Sequence, residues 1–326
     1  MNAVIQVIEI FVYGFFSQKK EHAYALQIMA EAEEQLKHKL PESIKIKAAR
    51  GYSVSKPIYL DAFTLLYGRR LNAVERKRLV YYFTAAALYD SFFDEMALSE
   101  EAIWQISFDT DNYKPLTENE KAWIFFHRYL QNIVEDKEGY LECCKHIYEA
   151  QKKSLEQFQS TLSNLALEQL THDKGGYSVF VCHYYLQQSF SSKELECWYL
   201  IGSCIQLCND LYDVYKDEQE GIHTLATRAR KYQDADIFFN GQVNKLKKII
   251  PSLQHTAYRK QRFSFLMASV YAFGYIALDN LKRIQGKEQF LPAFSSLQRK
   301  QLIIDMELWK NRWKCIRYIY LSGKLK

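Results

Sequence analysis

The sequence predicts an all-helical protein folded as a single domain over residues 1–326. Three observations carry that prediction. Gly and Pro are scarce, at 12 and 5 in 326 residues. The stretches between them repeat apolar residues at three- and four-residue spacing, and no strand-like alternation of useful length appears. A chain of this length can bury a deep core. Its 48% hydrophobic and 25% charged residues are an ordinary globular balance rather than that of a disordered or fibrous chain.

Residues 4–16 are apolar, but Glu9 interrupts them, no basic residue precedes them, and no small-residue cleavage site follows before Lys19-Lys20. They predict a packed helix rather than an export signal. Breaks are expected near Pro41, over 51–57, at Gly68, over 109–115, at Lys174-Gly175-Gly176, at Gly221, at Pro251 and over 285–292. Helix starts are expected at Thr117-Glu118-Asn119-Glu120 and Ser191-Ser192-Lys193-Glu194, where a hydroxyl cap is followed three residues later by a carboxylate that can return the hydrogen bond. No linker rich in Gly, Ser or Pro separates the helices. No other run approaches the ~20 apolar residues of a membrane span, although a peripheral membrane helix stays open.

Composition narrows the function classes. Net charge is +5, but Lys and Arg are interspersed with Asp and Glu, which argues against nucleic acid as a partner. The seven cysteines form no CxxC pair and no Cys/His ligand spacing, and Cys143-Cys144 are adjacent, so neither a disulfide framework nor zinc is indicated. A reducing cytoplasm fits best. Aromatic residues reach 15%, with 24 Tyr and 20 Phe, which suits either a large apolar cavity or an aromatic-rich core.

Two segments concentrate chemistry. In residues 79–95 an apolar, small-residue-rich helix acquires Asp90, Asp94 and Glu95 near its C-terminal end. The helix dipole disfavours anions there by a few tenths to ~1 kcal/mol, so a compensating cation is expected. Asp90 and Asp94, four apart, share a face and suit an oxygen-liganded divalent ion. The plain alternative is a helix end whose acids face water.

In residues 202–218, Asn209, Asp213 and Asp217 recur every four residues and present an oxygen ligand on three successive turns, with Gln206 nearly one turn before. Three such groups on a partly apolar helix would be costly if buried without a cation. An exposed acidic face is the alternative.

Asn209-Asp210-Leu211-Tyr212-Asp213-Val214-Tyr215-Lys216-Asp217 resembles the second metal-binding motif of class I terpene synthases, in which oxygen ligands occur at this four-plus-four spacing with a basic residue before the last acid. Gln206, Asn209 and Asp213 also satisfy the Gln-x-x-Asn-x-x-x-Asp pattern of squalene and phytoene synthases. Asp90-x-x-x-Asp94 is similar to the first motif of those coupling synthases and of bacterial large-terpene cyclases, with Ser91 where many cyclases carry a second Asp. The resemblance implies an isoprenoid-synthase helical bundle around a central apolar cavity.

It implies chemistry as well. Asp90, Asp94, Asn209, Asp213 and Asp217 would hold Mg²⁺, three ions in all, with Glu95 and Gln206 as secondary sites. The substrate would be an isoprenyl diphosphate of C15 to C25, and pyrophosphate would leave. Cationic donors for the diphosphate would be Lys174, in a glycine-containing helix break resembling the family's diphosphate sensor, Lys216, Arg228, and the late pair Arg317-Tyr318. Phe83, Phe92, Phe93, Tyr184, Tyr185, Trp309 and Trp313 would line the wall for the carbocation; His183 reads as a satisfied core histidine. The leading expectation is a terpene synthase. Head-to-head coupling of two prenyl diphosphates and a non-catalytic helical scaffold are the alternatives. A homodimer is compatible with this sequence.

Overall fold

A computed structural model describes residues 3–94 and 98–325, and these are helical with no strand among the described residues. Helix α1 (Ala3–Leu36) leads into α2 (Glu42–Ser55), a π-helical turn (Lys56–Leu60), α3 (Asp61–Leu66) and α4 (Ala73–Asp94). Then follow α5 (Glu100–Phe108), α6 (Glu118–Ile133), α7 (Lys137–Ser154) and α8 (Asn164–Phe180). The last third holds α9 (Ser192–Tyr212), α10 (Val214–Glu220), α11 (Tyr232–Ile249), α12 (Ala257–Gln285), α13 (Arg299–Leu302) and α14 (Trp309–Gly323).

Both expected caps form. Thr117 accepts the Glu120 N–H while Glu120 accepts the Leu116 N–H, and Ser191 and Glu194 make a reciprocal capping box. Chain breaks fall at Gly68 and Gly221, both at positive φ, where glycine avoids the Cβ clash of the left-handed region. The expected break over 51–57 does not occur. Helix α2 runs through Gly51, and the π-helical turn absorbs Pro57, whose missing N–H and ring would disrupt regular α geometry.

The core centres on α12, whose residues 263–272 are all buried, the pattern of a helix that is packed on every side. It contacts α9, α11, α14, α3 and α1. Phe63 of α3 stacks on Trp198 of α9 at 3.7 Å between ring centroids, and Phe263 of α12 meets Phe63 edge-on at 5.0 Å. Buried apolar residues form one contiguous cluster from Val7 to Ile319.

Beside the π turn lies a buried ionic knot. Lys56 Nζ is 3.0 Å from Asp61, 3.4 Å from Glu21 and donates to Tyr13 Oη at 2.8 Å, while Arg76 of α4 reaches Glu21 at 2.8 Å. It ties α1, the π turn, α3 and α4 together. Each buried charge has partners, which is the condition for tolerating it.

Candidate functional site

The site is built where α8 crosses α9. These two helices touch so closely at Gly175 and Gly202 that a Cβ on Gly175 would lie 2.3 Å from the Gly202 carbonyl oxygen, and the reverse distance is the same. The Lys174-Gly175-Gly176 segment is therefore helix interior and not the expected break. Its amides serve the helix ladder, and the glycines are there for close packing, so no cluster of free N–H groups is available for phosphate. Lys174 nevertheless reaches the site as a side chain.

A cavity of ≈ 370 Å³ opens between α2, α4, α6, α7, α8 and α9. Its mouth is polar: Lys47, Asp90, Gln151, Lys174, Gln206 and Asn209 line it, Asn209 being solvent-exposed. Its interior is aromatic and buried. Tyr89, Trp123 and His127 stack in sequence at 5.5 Å and 4.4 Å between centroids, Tyr89 also hydrogen-bonds Ser107, and Tyr59, Tyr82, Phe83, Tyr140 and Tyr185 complete the wall. Tyr59 comes from the π turn, which thereby contributes to the site. Burial holds His127 neutral, lowering its imidazole to about 4.

Asp90 lies in the last turn of α4, where the dipole disfavours it. Its compensation comes from two sides: Lys47 Nζ of α2 is 2.9 Å from Oδ2, and the Gln151 amide of α7 donates to Oδ1 at 2.7 Å. The Lys47 pair is half exposed and so is worth only ~0–1 kcal/mol, little obstacle to a stronger cation. Gln151 Oε1 is buried with no hydrogen-bond partner, an orphan acceptor next to the carboxylate. Glu95 lies outside the described residues, as does the side chain of Asp94.

The second acidic segment divides between surface and interior. Asn209 and Asp213 occupy the exposed edge of its face, while Asp210 and Asp217 are buried. Asp210 accepts from Gln206 at 2.8 Å and from Thr171 at 3.3 Å. Burial raises its carboxyl to about 6, against the opposing help of Gln206 and the Lys174 charge. Burial, then the charges of Asp210 and Asp213, raises Asp217 to about 7. The helix kinks at Asp213, which ends α9 with φ −92° and ψ 7° before α10 starts.

At the cavity mouth the Asp90 carboxylate, the Asn209 amide oxygen and the orphan Gln151 oxygen suit a hard divalent cation in donor chemistry, whereas Asp210, Asp213 and Asp217 are not among the residues that line the cavity. Among the described residues, no three His, Cys, Asp or Glu side chains are already gathered at ligand spacing.

Other expected residues lie elsewhere. Trp309 and Trp313 are 69% and 63% exposed, because α14 packs on α12 through its opposite face, Cys315, Ile319 and Ser322. On the same helix Arg317 is exposed, and Tyr318 packs against Tyr275 at 5.2 Å. Lys216 is exposed beside Glu220. Arg228 donates to the carbonyls of Leu162 and Ser160, pinning the loop that precedes α8. Phe92, Phe93 and Tyr184 back the cavity wall through Trp123, Tyr89 and Tyr140 without lining it. His183 is satisfied by the Phe180 carbonyl at 2.7 Å.

Sequence reasoning missed Asp210, Gln151, Lys47, Trp123 and His127. Asp210 had a local signal, standing four residues after Gln206 on the same face. The other four stand outside both acidic segments, and only packing brings them to the cavity. No described helix is long and apolar enough to cross a membrane. Comparison with known proteins adds no assignment: no protein-family model matches the chain, and no curated protein sequence matches it.

Proposed function

We propose that the chain is a magnesium-dependent class I terpene synthase acting on an isoprenyl diphosphate. One observation carries the reading: Asp90 of the first acidic segment and Asn209 of the second line a single cavity, together with Lys174 and Gln206, and the interior of that cavity is aromatic. Asp90, Asp94, Asn209, Asp213 and Asp217 would hold the metal, with Asp210 as a neighbouring carboxylate. When bound, magnesium supplies the positive charge that lets diphosphate leave an allylic carbon.

The chain's own groups do the remaining work. Lys174 offers an ammonium at the mouth to the departing diphosphate. Tyr89, Trp123 and Tyr82 enclose the prenyl tail, exclude water and present π faces to a carbocation, an attraction of ~1–2 kcal/mol when desolvated. Gln151 orients the Asp90 carboxylate.

A second reading, coupling of two prenyl diphosphates, is favoured by the joint presence of Gln206 and Asn209 at the mouth. Incubation with C15, C20 and C25 diphosphates and Mg²⁺, with extracts analysed by gas chromatography and mass spectrometry, separates the readings. A hydrocarbon or alcohol of the substrate's own carbon number supports the first, and a C30 or C40 product the second. Pyrophosphate release from none of these substrates, with no stabilisation by Mg²⁺ and pyrophosphate, would leave a helical scaffold and sink both.

A further inference from the structure

The first half of α1 has two apolar faces. Val7 and Ile10 are buried against the bundle, whereas Ile5, Ile8, Val12, Phe15 and Phe16 are exposed, Phe16 by 72%. At 100° per residue these five fall on one side of the helix. On α14, Trp309 and Trp313 are four apart and exposed, and Arg317 continues the same stripe one turn on. Arg312 joins the two helices, its guanidinium 5.5 Å from the Phe15 ring centre and 5.8 Å from that of Trp309. The exposed apolar stripe of α1 and the two exposed indoles of α14 thus meet at the Arg312 guanidinium.

Its border is cationic. Lys19 and Lys20 follow the apolar stripe on α1, and Lys310, Arg317 and Lys324 lie on or just after α14, all exposed. Of the acids nearby, Glu9 faces Arg262 at 3.8 Å, Asp305 accepts the Glu307 N–H, and Glu307 is exposed at the margin. A patch of this kind on a single molecule marks an interaction site.

We propose that this face docks on an anionic lipid bilayer, α1 lying in the interface plane with Trp309 and Trp313 at headgroup depth. Indole rings favour that depth because one edge is apolar and the N–H is polar. The lysines and arginines complement anionic headgroups, and each contributes near the surface. A second copy of the chain is the weaker occupant, since pairing this face with itself would set one cationic border against another.

The test is flotation of the full chain with vesicles of phosphatidylcholine alone and of phosphatidylcholine mixed with phosphatidylglycerol, at low and high salt. The expected result is co-flotation with the anionic vesicles that weakens with salt. The double variant Lys310→Glu/Arg317→Glu should lose about thirtyfold or more in partition, and Trp309→Ala/Trp313→Ala should also fall, both keeping the parent's circular dichroism. Absence of co-flotation, or flotation equal to the parent's in both variants, overturns the proposal. So does a dimer in light scattering that Trp309→Ala/Trp313→Ala converts to monomer while flotation is unchanged.

Discussion

Gly175 and Gly202 face each other across the α8–α9 crossing with room for a hydrogen on each and nothing larger: a Cβ on either would stand 2.3 Å from the other's carbonyl oxygen. Both obstacles are backbone, so neither can rotate away. Gly175→Ala should cost about 1–3 kcal/mol through forced helix separation, even though alanine is the better helix former by ~1 kcal/mol. Gly241→Ala in α11, where a Cβ meets nothing within 4 Å, should stabilise by about 0.5–1 kcal/mol. Denaturant midpoints of the two variants check this, and equal signs would refute the packing argument.

Gln151 and Lys47 both hold the Asp90 carboxylate, but they would affect a metal at it in opposite ways. Gln151→Leu removes the hydrogen bond that holds Asp90 Oδ1 and should raise the Mg²⁺ needed for half-maximal turnover about tenfold to a hundredfold. Lys47→Met removes a competing cation and should lower that requirement by up to about fivefold, since an exposed pair is worth at most ~1 kcal/mol. Titrating Mg²⁺ at saturating substrate reads both; shifts in the same direction would dissociate Asp90 from the metal.

The ionic knot should fail asymmetrically. Lys56→Met leaves the buried Asp61 carboxylate without its cation, while Arg76 still holds Glu21, and should cost about 3–5 kcal/mol. Lys56→Met/Asp61→Asn should lose less than the sum of its single variants, because the second change removes the stranded charge. A strictly additive double-mutant cycle would show that the groups do not interact.

Acid should remove the stability contributed by the neutral histidines, while the buried carboxyls of Asp210 and Asp217, raised to about 6 and about 7, push the other way over the same range. Burial lowers His127 and His172 to about 4 each, below the ordinary value of ~6.5. The unfolded chain therefore binds more protons between these values. The stability is fully present above pH ~6.5 and is lost as pH falls toward ~4, by up to about 3 kcal/mol per histidine. His127→Phe should make the slope of unfolding free energy against pH, measured from pH 7 to 4.5, less positive than the parent's; an unchanged slope would refute the assignment.

Much of the helical layout is legible because it is local. The Ser191–Glu194 box, the Thr117 cap and the left-handed Gly221 depend on residues within one turn. The acidic segments are legible for the same reason, as spacing on one helix is a property of consecutive residues. Lys174-Gly175-Gly176 misleads because glycine signals both a helix break and a tight crossing, and only the arrival of Gly202 distinguishes them. Trp309 and Trp313 mislead because an aromatic side chain reads as core until the face that packs on α12 is known.

Sequence alone thus determined the helical class, the caps and the two carboxylate-bearing turns, since each is set by interactions spanning four residues or fewer. Tertiary structure alone decided that Asp90 and Asn209 open on one cavity, and that Lys47 and Gln151 are the groups holding Asp90. It also decided that Asp210 is buried where Asn209 and Asp213 are exposed. Those relations depend on how helices distant in sequence rotate and cross, and that is chosen by the whole core at once.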